Sequence, residues 1–427
     1  MLELGLYSSK ARIYAASLFQ KIREAEKIGI HVKDVSLNFT ELISWKDSVV
    51  QKLTGGIGML LSKHKIEVIA GTAQLLSPQR VKVKHADGTQ LELDAKNIVI
   101  ATGSSIMQLP HLPIDHEQII DSTDALRLDK LPESMAVIGG GIIGLELGMM
   151  YHKLGTQVTV IELFSQVLPG VDTDVVQAMQ RTLKKEKMPL YLDTQVSEVF
   201  TGDKNAQLKL KTPKGEEILL FEKVLVCVGR TPNSQNIGLE KAGIETNEKG
   251  FIPVDDQCRT NKSNVFAIGD VTATPYLAHK ASKEGLVVAD AICGKSTRLD
   301  YRAMPSAIFT SPEIATVGLT EAQAKEKGLE IKIGKFPFAA LGKAQATGET
   351  EGFVKMIADA HTDELLGVHM MGPHVSELIA EAALAIEMGA SAEDLALTVH
   401  AHPTLPESLM EAAESLHKQA IHIYEGV

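Results

Sequence analysis

The 427 residues are 44% apolar and 23% charged with a net charge of −11, an ordinary balance for a soluble globular chain too long for one hydrophobic core, so two or three domains are expected. No concentrated basic face accompanies the acidic balance, which argues against a nucleic-acid partner. The three cysteines, Cys227, Cys258 and Cys293, are too few and too widely spaced for a disulfide framework or a metal site, so a reducing, cytoplasmic setting without a bound metal is expected.

Residues 1–27 mix acids and bases without an apolar stretch, so no secretory signal is expected there. The longest apolar run, 136–150, is glycine-rich, interrupted by Glu146 and too short to cross a bilayer, so no membrane association is expected.

In chain order, Leu18, Ile22 and Ala25 recur at helical spacing up to Gly29, and residues 39–63 read as a second helix broken around Gly55, Gly56 and Gly58. Short strands are predicted at 65–73, 80–85 and 89–93, with Asp87-Gly88 as a hairpin turn. The run 96–101 ends abruptly in Thr102-Gly103-Ser104. From Met135 the pattern becomes strand, glycine turn, helix, strand, so that 135–138, 142–154 and 157–162 make one βαβ unit. A helix at 175–187 follows, then strands at 223–228 and 264–268 that end in Gly229-Arg230 and Gly269-Asp270, and a helix at 285–292. Beyond Pro305, strands at 307–316, 331–337, 353–359 and 365–371 alternate with helices at 321–327, 376–387 and 408–417, an α+β pattern. No linker-like stretch separates these parts, so they should pack closely.

Gly139-Gly140-Gly141-Ile142-Ile143-Gly144 fits G-x-G-x-x-G, with a strand before it, a helix after it and Glu162 closing the next strand. Gly139 permits the tight turn, Gly141 lets the backbone approach a pyrophosphate, and Gly144 lets the helix pack on the strand. The phosphates then face unpaired N–H groups at the helix start. Glu162 would accept ribose hydroxyls, and no arginine follows in Leu163-Phe164-Ser165 to take a 2′-phosphate, so NAD is preferred over NADP.

Three strands end in glycine, at Gly103, Gly229 and Gly269. The second closes the NAD domain, 90 residues after Gly139. The first and third imply a similar second domain interrupted by the NAD domain. By the same plan its own glycine loop is expected at or before residue 13, yet no G-x-G-x-x-G occurs between Met1 and Lys27, so its first βαβ is read as missing.

Ala101-Thr-Gly-Ser104, the 139–144 loop, Cys227-Val-Gly-Arg-Thr-Pro232, Phe266-Ala-Ile-Gly-Asp270 and His400-Ala-His-Pro-Thr-Leu405 together resemble the pyridine nucleotide–disulfide oxidoreductases, the flavoprotein disulfide reductases. The resemblance covers nearly the whole chain. Glu162 and Pro275-Tyr-Leu-Ala-His279 look most like the dihydrolipoyl dehydrogenase branch.

The resemblance implies an α/β fold with two nested dinucleotide-binding (Rossmann-like) domains, the first truncated, and a C-terminal α+β dimerisation domain. The corresponding segments are 1–115 and 251–305 for FAD, 116–250 for NAD and 306–427 for dimerisation. It implies that Asp270 holds the flavin ribitol, that Tyr276, Leu277, Ala278 and His279 line the flavin, and that Gly71, Thr102, Gly103 and Ser104 touch FAD. Val196 and Gly229 would line the NAD site, joined by Leu145 and Glu146 after the glycine loop. Ser8-Ser9-Lys10-Ala11 resembles the tail of the family's cysteine motif, making Lys10 the flavin-contacting lysine. The pair of redox cysteines expected just before Lys10, four residues apart, does not occur. Cys227, Cys258 and Cys293 read as buried small hydrophobes instead.

The resemblance further makes His402 the general base for a dithiol, oriented by Glu407 and serving the neighbouring subunit of a homodimer. Thiolate rather than thiol attacks a disulfide, so such chemistry needs a proton acceptor near neutral pH. Thr404–Glu407 also fits a T-x-x-E capping box, and the two roles can coexist. His400 reads as structural. The apolar face of Leu378, Ala382, Ala385 and Ile386 fits either a dimer interface or core.

The implied activity is oxidation of dihydrolipoamide, carried on the lipoyl domain of a 2-oxo acid dehydrogenase transferase component, through FAD to NAD+. Without the cysteine pair, impaired activity is expected of these residues. Two alternatives stay open: an NAD(P)-linked flavoprotein such as a soluble transhydrogenase, and a non-catalytic paralogue acting as an interaction protein.

Overall fold

The structure is a computed structural model that describes residues 6–424. Two compact units emerge, each made of separated chain segments. The first takes the chain up to Gly55, then Gln108–Val228 and everything from Arg302; the second takes Gly56–Met107 and Gly229–Tyr301.

The first unit holds a five-stranded sheet, all parallel, in the spatial order Ile119–Ile120, Lys223–Val226, Ser134–Ile138, Gln157–Ile161, Leu190–Tyr191. Its central strand Ser134–Ile138 carries buried apolar side chains on both faces, as a parallel sheet covered on both sides requires. The helix Ile142–Leu154 covers one face, its buried Leu145, Leu147 and Tyr151 in the same core as Val137 and Val160. The helix Leu6–Glu24 packs on it. Arg12, fully buried, fastens the two by donating to the Ala125 carbonyl at 2.8 Å and to the Tyr151 hydroxyl at 3.1 Å.

The same unit contains the antiparallel sheet of the C-terminal segment, ordered Ser306–Ile308, Glu313–Gly318, Leu365–Gly372, Phe353–Asp359, Ile331–Pro337. Lys355 on this sheet, almost fully buried, meets Asp172 at 2.9 Å, Asp174 at 3.2 Å and Glu321 at 2.8 Å. Asp172 is also the N-cap of the helix Thr173–Lys185, so one ammonium ties that helix to the sheet. Removing the ammonium alone would leave carboxylates unpaired at a cost of about 3–5 kcal/mol.

The second unit contains the parallel pair Ile98–Ile100 and Val265–Ala267, the helix Ala278–Ile292, and an antiparallel sheet of Thr72–Ser77, Arg80–Lys84 and Gln90–Asp94.

Several expectations need correction. Residues 39–63 form one unbroken helix, Phe39–Lys63, because an exposed glycine weakens a helix by only about 1 kcal/mol relative to alanine. The strand expected at 65–73 begins only at Thr72, with register fixed by pairing to Arg80–Lys84. The run 307–316 is two strands folded on each other, since the turn at Thr310–Pro312 interrupts it. Leu378, Ala382, Ala385 and Ile386, which fitted either an interface or core, are buried within the chain's own C-terminal core. The exposed apolar residues of that region are instead Leu384, Met388, Leu397 and Val399. No described helix is long and apolar enough to cross a membrane.

Candidate functional site

The strand Ser134–Ile138 feeds the glycine loop, and the helix Ile142–Leu154 starts on Gly141, which has extended backbone and no capping side chain. Gly139 has φ +103°, and a Cβ there would stand 2.4 Å from the Cys227 carbonyl oxygen; at Gly144 it would stand 2.1 Å from the Gly139 carbonyl oxygen. Neither place accepts a side chain. A Cβ on Gly141 would meet no described atom within 4 Å, so the backbone is open on that side. Ile142 and Ile143 are exposed beside it, whereas Leu145 and Glu146 point into the interior.

Glu162 follows the strand Gln157–Ile161 and is itself buried. Its Oε2 accepts the Gly140 N–H at 2.6 Å and its Oε1 accepts the Phe164 N–H at 2.9 Å. The glycine loop and the acidic end of the next strand are thus brought together by a charge-assisted hydrogen bond. Val196, on the strand Gln195–Phe200, is buried with Ile138 and Ile161 in one apolar cluster. Gly229 belongs to the second unit, at φ +128°.

Lys10, on the helix Leu6–Glu24, reaches Glu146 Oε2 at 2.7 Å and stands 4.1 Å over the Phe309 ring. Glu146 Oε1 accepts the Phe309 N–H at 2.8 Å. Both carboxylate oxygens of Glu146 are therefore engaged by residues outside the glycine loop.

In the second unit the parallel strands Ile98–Ile100 and Val265–Ala267 bring the endings Thr102–Ser104 and Gly269–Asp270 side by side. Ser104 Oγ donates to the buried Asp270 Oδ2 at 2.6 Å and accepts from Arg230 Nε at 2.7 Å. Thr102 Oγ1 donates to the Asn233 carbonyl at 2.7 Å, and the Asn233 N–H donates to the Gly103 carbonyl at 2.9 Å. The Tyr276 hydroxyl donates to the Arg230 carbonyl at 3.3 Å. Leu277 stands at the N-cap of the helix Ala278–Ile292, with His279 in its first turn. Glu284 accepts the Gly269 N–H at 2.6 Å and pairs with Lys280 at 2.9 Å, both side chains being buried. A Cβ on Gly71 would strike the Lys84 carbonyl oxygen at 2.7 Å.

Arg230 stands in the sequence only as part of the motif 227–232, and Asn233, Lys280 and Glu284 lie outside the motifs. Lys280 and Glu284 carried a weak signal, an opposite-charge pair at i,i+4. Asn233 carried none.

His402 Nδ1 lies 2.9 Å from Glu407 Oε1, while Glu407 Oε2 accepts the Thr404 N–H at 2.7 Å. The His402 side chain is 73% exposed and that of Glu407 12%. The helix begins at Glu407 with Pro406 as its N-cap, and Thr404 Oγ1 donates to the Ala401 carbonyl instead of capping. Only half of the expected capping box forms, and it coexists with the histidine pair. Burial pushes the Glu407 carboxyl up, but the Thr404 amide and His402 outweigh it and hold its pKa below the ordinary value. His400, with a nearly buried side chain, bridges Glu381 at 2.7 Å and the Thr398 carbonyl at 2.8 Å, a fixed structural contact.

Cys258 is buried and Cys227 partly so; burial drives both thiols up to about 12, far from the thiolate state that redox exchange needs. Cys293 is exposed at the end of its helix, not buried as expected.

The family model described as pyridine nucleotide-disulphide oxidoreductase matches residues 8–285, and that of the same family's dimerisation domain matches 304–413. A dihydrolipoyl dehydrogenase of Thermus scotoductus is 44% identical over 99% of this chain and 90% of its own length. One of Geobacillus stearothermophilus is 41% identical over 99% and 89%. Among solved structures, LpdA from Mycobacterium tuberculosis superposes with a TM-score of 0.89 at 26% identity, covering 97% of this chain and 90% of that one. The HOCl-induced flavoprotein disulfide reductase RclA from Escherichia coli superposes at 0.86 with 26% identity, covering 97% and 90%.

Proposed function

The chain belongs to the pyridine nucleotide-disulphide oxidoreductase family, and we propose that its residues serve dihydrolipoyl dehydrogenase chemistry, in which two electrons leave a dihydrolipoyl dithiol and reach NAD+. The family's members are oxidoreductases that use FAD and NAD, and this chain carries the family's dimerisation domain. The observation that carries the reading is the exposed His402 imidazole on a buried, hydrogen-bonded Glu407 carboxylate.

Glu407 fixes the tautomer by accepting from Nδ1–H, which leaves His402 Nε2 as the proton acceptor for a dithiol. The carboxylate stabilises the imidazolium once the proton has moved, because it stays ionised through neutral pH. Gly139–Gly144 and Glu162 fit NAD: the helix start has no cap of its own, Gly141 has open space and Glu162 stands at the loop. Asp270, Thr102–Ser104, Gly71 and Tyr276–His279 would hold FAD, with Arg230 setting the Ser104 rotamer. When bound, FAD supplies the electron relay between dithiol and nicotinamide. The reading extends to a homodimer in which His402 serves the neighbouring subunit, and to the lipoyl domain of a 2-oxo acid dehydrogenase transferase component as the dithiol carrier.

The 427 residues contain no Cys-x-x-x-x-Cys, so the polypeptide by itself is expected to bind NADH yet reduce no NAD+ with dihydrolipoamide. Joining a flavin-loop segment of the family that carries the cysteine pair ahead of Tyr7 should give dihydrolipoamide-dependent NAD+ reduction, lost in His402→Ala. Reduction of NAD+ at the same rate in that histidine variant would sink the assignment. A second reading is hydride exchange between nicotinamide nucleotides, as in a soluble transhydrogenase. A flavin-loop segment without cysteines separates the two, because it should support exchange and not lipoamide turnover.

A further inference from the structure

A cavity of about 290 Å³ opens where three helices end, lined by Gln20, Arg23, Glu24, His152, Lys153 and Glu186. It lies wholly within the first unit. Lys153 is half-buried there, and its Nζ donates to Ser17 Oγ at 3.0 Å. Among the described residues no carboxylate lies within 4.0 Å of that ammonium. The charges around it are turned elsewhere. Lys21 pairs with Glu349 at 2.7 Å, and Glu24 is engaged by Lys27 at 2.7 Å and Gln20 at 2.9 Å. Glu186, at the end of the helix Thr173–Lys185, is the acid left facing Lys153, and Lys21 opposes it. His152, the preceding residue, also lines the cavity, and its Nδ1 is shielded from solvent without a hydrogen-bond partner among the described residues.

An amine in a roomy recess, held by a hydroxyl and flanked by a free imidazole nitrogen, is arranged as a nucleophile rather than as an ion-pair partner. We propose that Lys153 is an acyl-acceptor site, modified by small activated acyl groups (acyl phosphates or acyl thioesters) without further catalysis. The neutral amine adds to the acyl carbonyl carbon, the C–N bond of an amide forms, and the carbonyl–oxygen or carbonyl–sulfur bond breaks. Phosphate or thiolate leaves with the electron pair, and the amine's proton passes to His152 Nδ1. No oxidant or reductant is needed. Modification removes the positive charge at the junction of these helices.

Burial sets the reactivity: it lowers the Lys153 pKa to about 8, against the raising influence of Glu186 and Glu24. At pH 8 about half of such an amine is neutral, against less than about one part in a hundred of an ordinary lysine. Lower basicity returns part of that advantage as weaker nucleophilicity, leaving on the order of tenfold.

The test exposes the folded chain to acetyl phosphate or to acetyl-CoA between pH 7 and 9 and follows each lysine by peptide mass spectrometry. Lys153 should be acetylated about tenfold faster than the exposed Lys214 and Lys249 at pH 8. Its rate should level off above pH 8 while theirs keep rising. His152→Phe should slow Lys153 severalfold and leave Lys214 unchanged, with circular dichroism checking the fold. Labelling by one donor alone would narrow the acyl source and leave the acceptor in place. Lys153 reacting no faster than Lys214 with both donors would overturn the proposal.

Discussion

Two regions of this molecule present a carboxylate near the end of a parallel strand in different ways. Around Gly139 a five-stranded parallel sheet, a glycine turn, an uncapped helix start and a terminal carboxylate are all present in one compact unit. Around Asp270 two parallel strands are paired among the described residues, and the carboxylate accepts from Ser104, which Arg230 holds in turn. The difference teaches what each part of a dinucleotide site contributes. The glycine loop is a matter of space and unpaired N–H groups, so it either exists or does not. The carboxylate end is a matter of hydrogen bonding, met by a loop amide at Glu162 and by a side-chain hydroxyl at Asp270.

The largest expected effect comes from closing the glycine loop at Gly144. Gly144→Val would drive a side chain into the Gly139 carbonyl; NADH affinity should fall by about a hundredfold or more, since overpacking at about 1–3 kcal/mol is added to the lost phosphate contacts. Titration by NADH fluorescence reads this, and near-normal affinity would mean that nicotinamide nucleotides bind elsewhere.

Next is the region around Asp270. Asp270→Asn replaces a charged acceptor for Ser104 by a neutral one, and FAD affinity, measured by flavin fluorescence quenching, should weaken about tenfold with NADH affinity unchanged. An equal loss of both would erase the distinction between the regions.

Glu162→Gln keeps the shape and removes the charge at the Gly140 amide. NADH binding should weaken about fivefold by isothermal titration, within the range of one charge-assisted hydrogen bond.

The smallest effect lies outside both pockets. Because the folded pKa of Glu407 is held below its ordinary value of 4.5, its stabilisation is complete above that value and is lost as pH falls through the folded pKa. Urea unfolding of Glu407→Gln should therefore show a deficit of about 1 kcal/mol at pH 7 that shrinks below pH 4.5. A deficit independent of pH would assign Glu407 to packing alone.

Much of this was legible in the residues because the constraint was local. Gly139 and Gly144 have to be glycine because the strand turns tightly into the helix there, and the five-residue spacing of His402 and Glu407 is short enough for one turn to close. The boundaries of Ile142–Leu154, Ile331–Pro337 and Phe353–Asp359 follow the same logic. Glycine at 55, 56 and 58 misled, because local propensity is weak once a helix is already nucleated on either side.

By itself, then, the sequence determined the glycine-loop motif, the family and the closeness of His402 to Glu407, since each rests on residues a few positions apart. Only the tertiary structure decided that Lys10 meets Glu146 across 136 residues, that Lys355 meets Asp172 across 183, and that Leu378 and Ile386 are core while Leu384 and Met388 are exposed. The physical reason is that a helix's periodicity fixes which residues share a face, whereas what that face meets depends on chain segments far away in sequence.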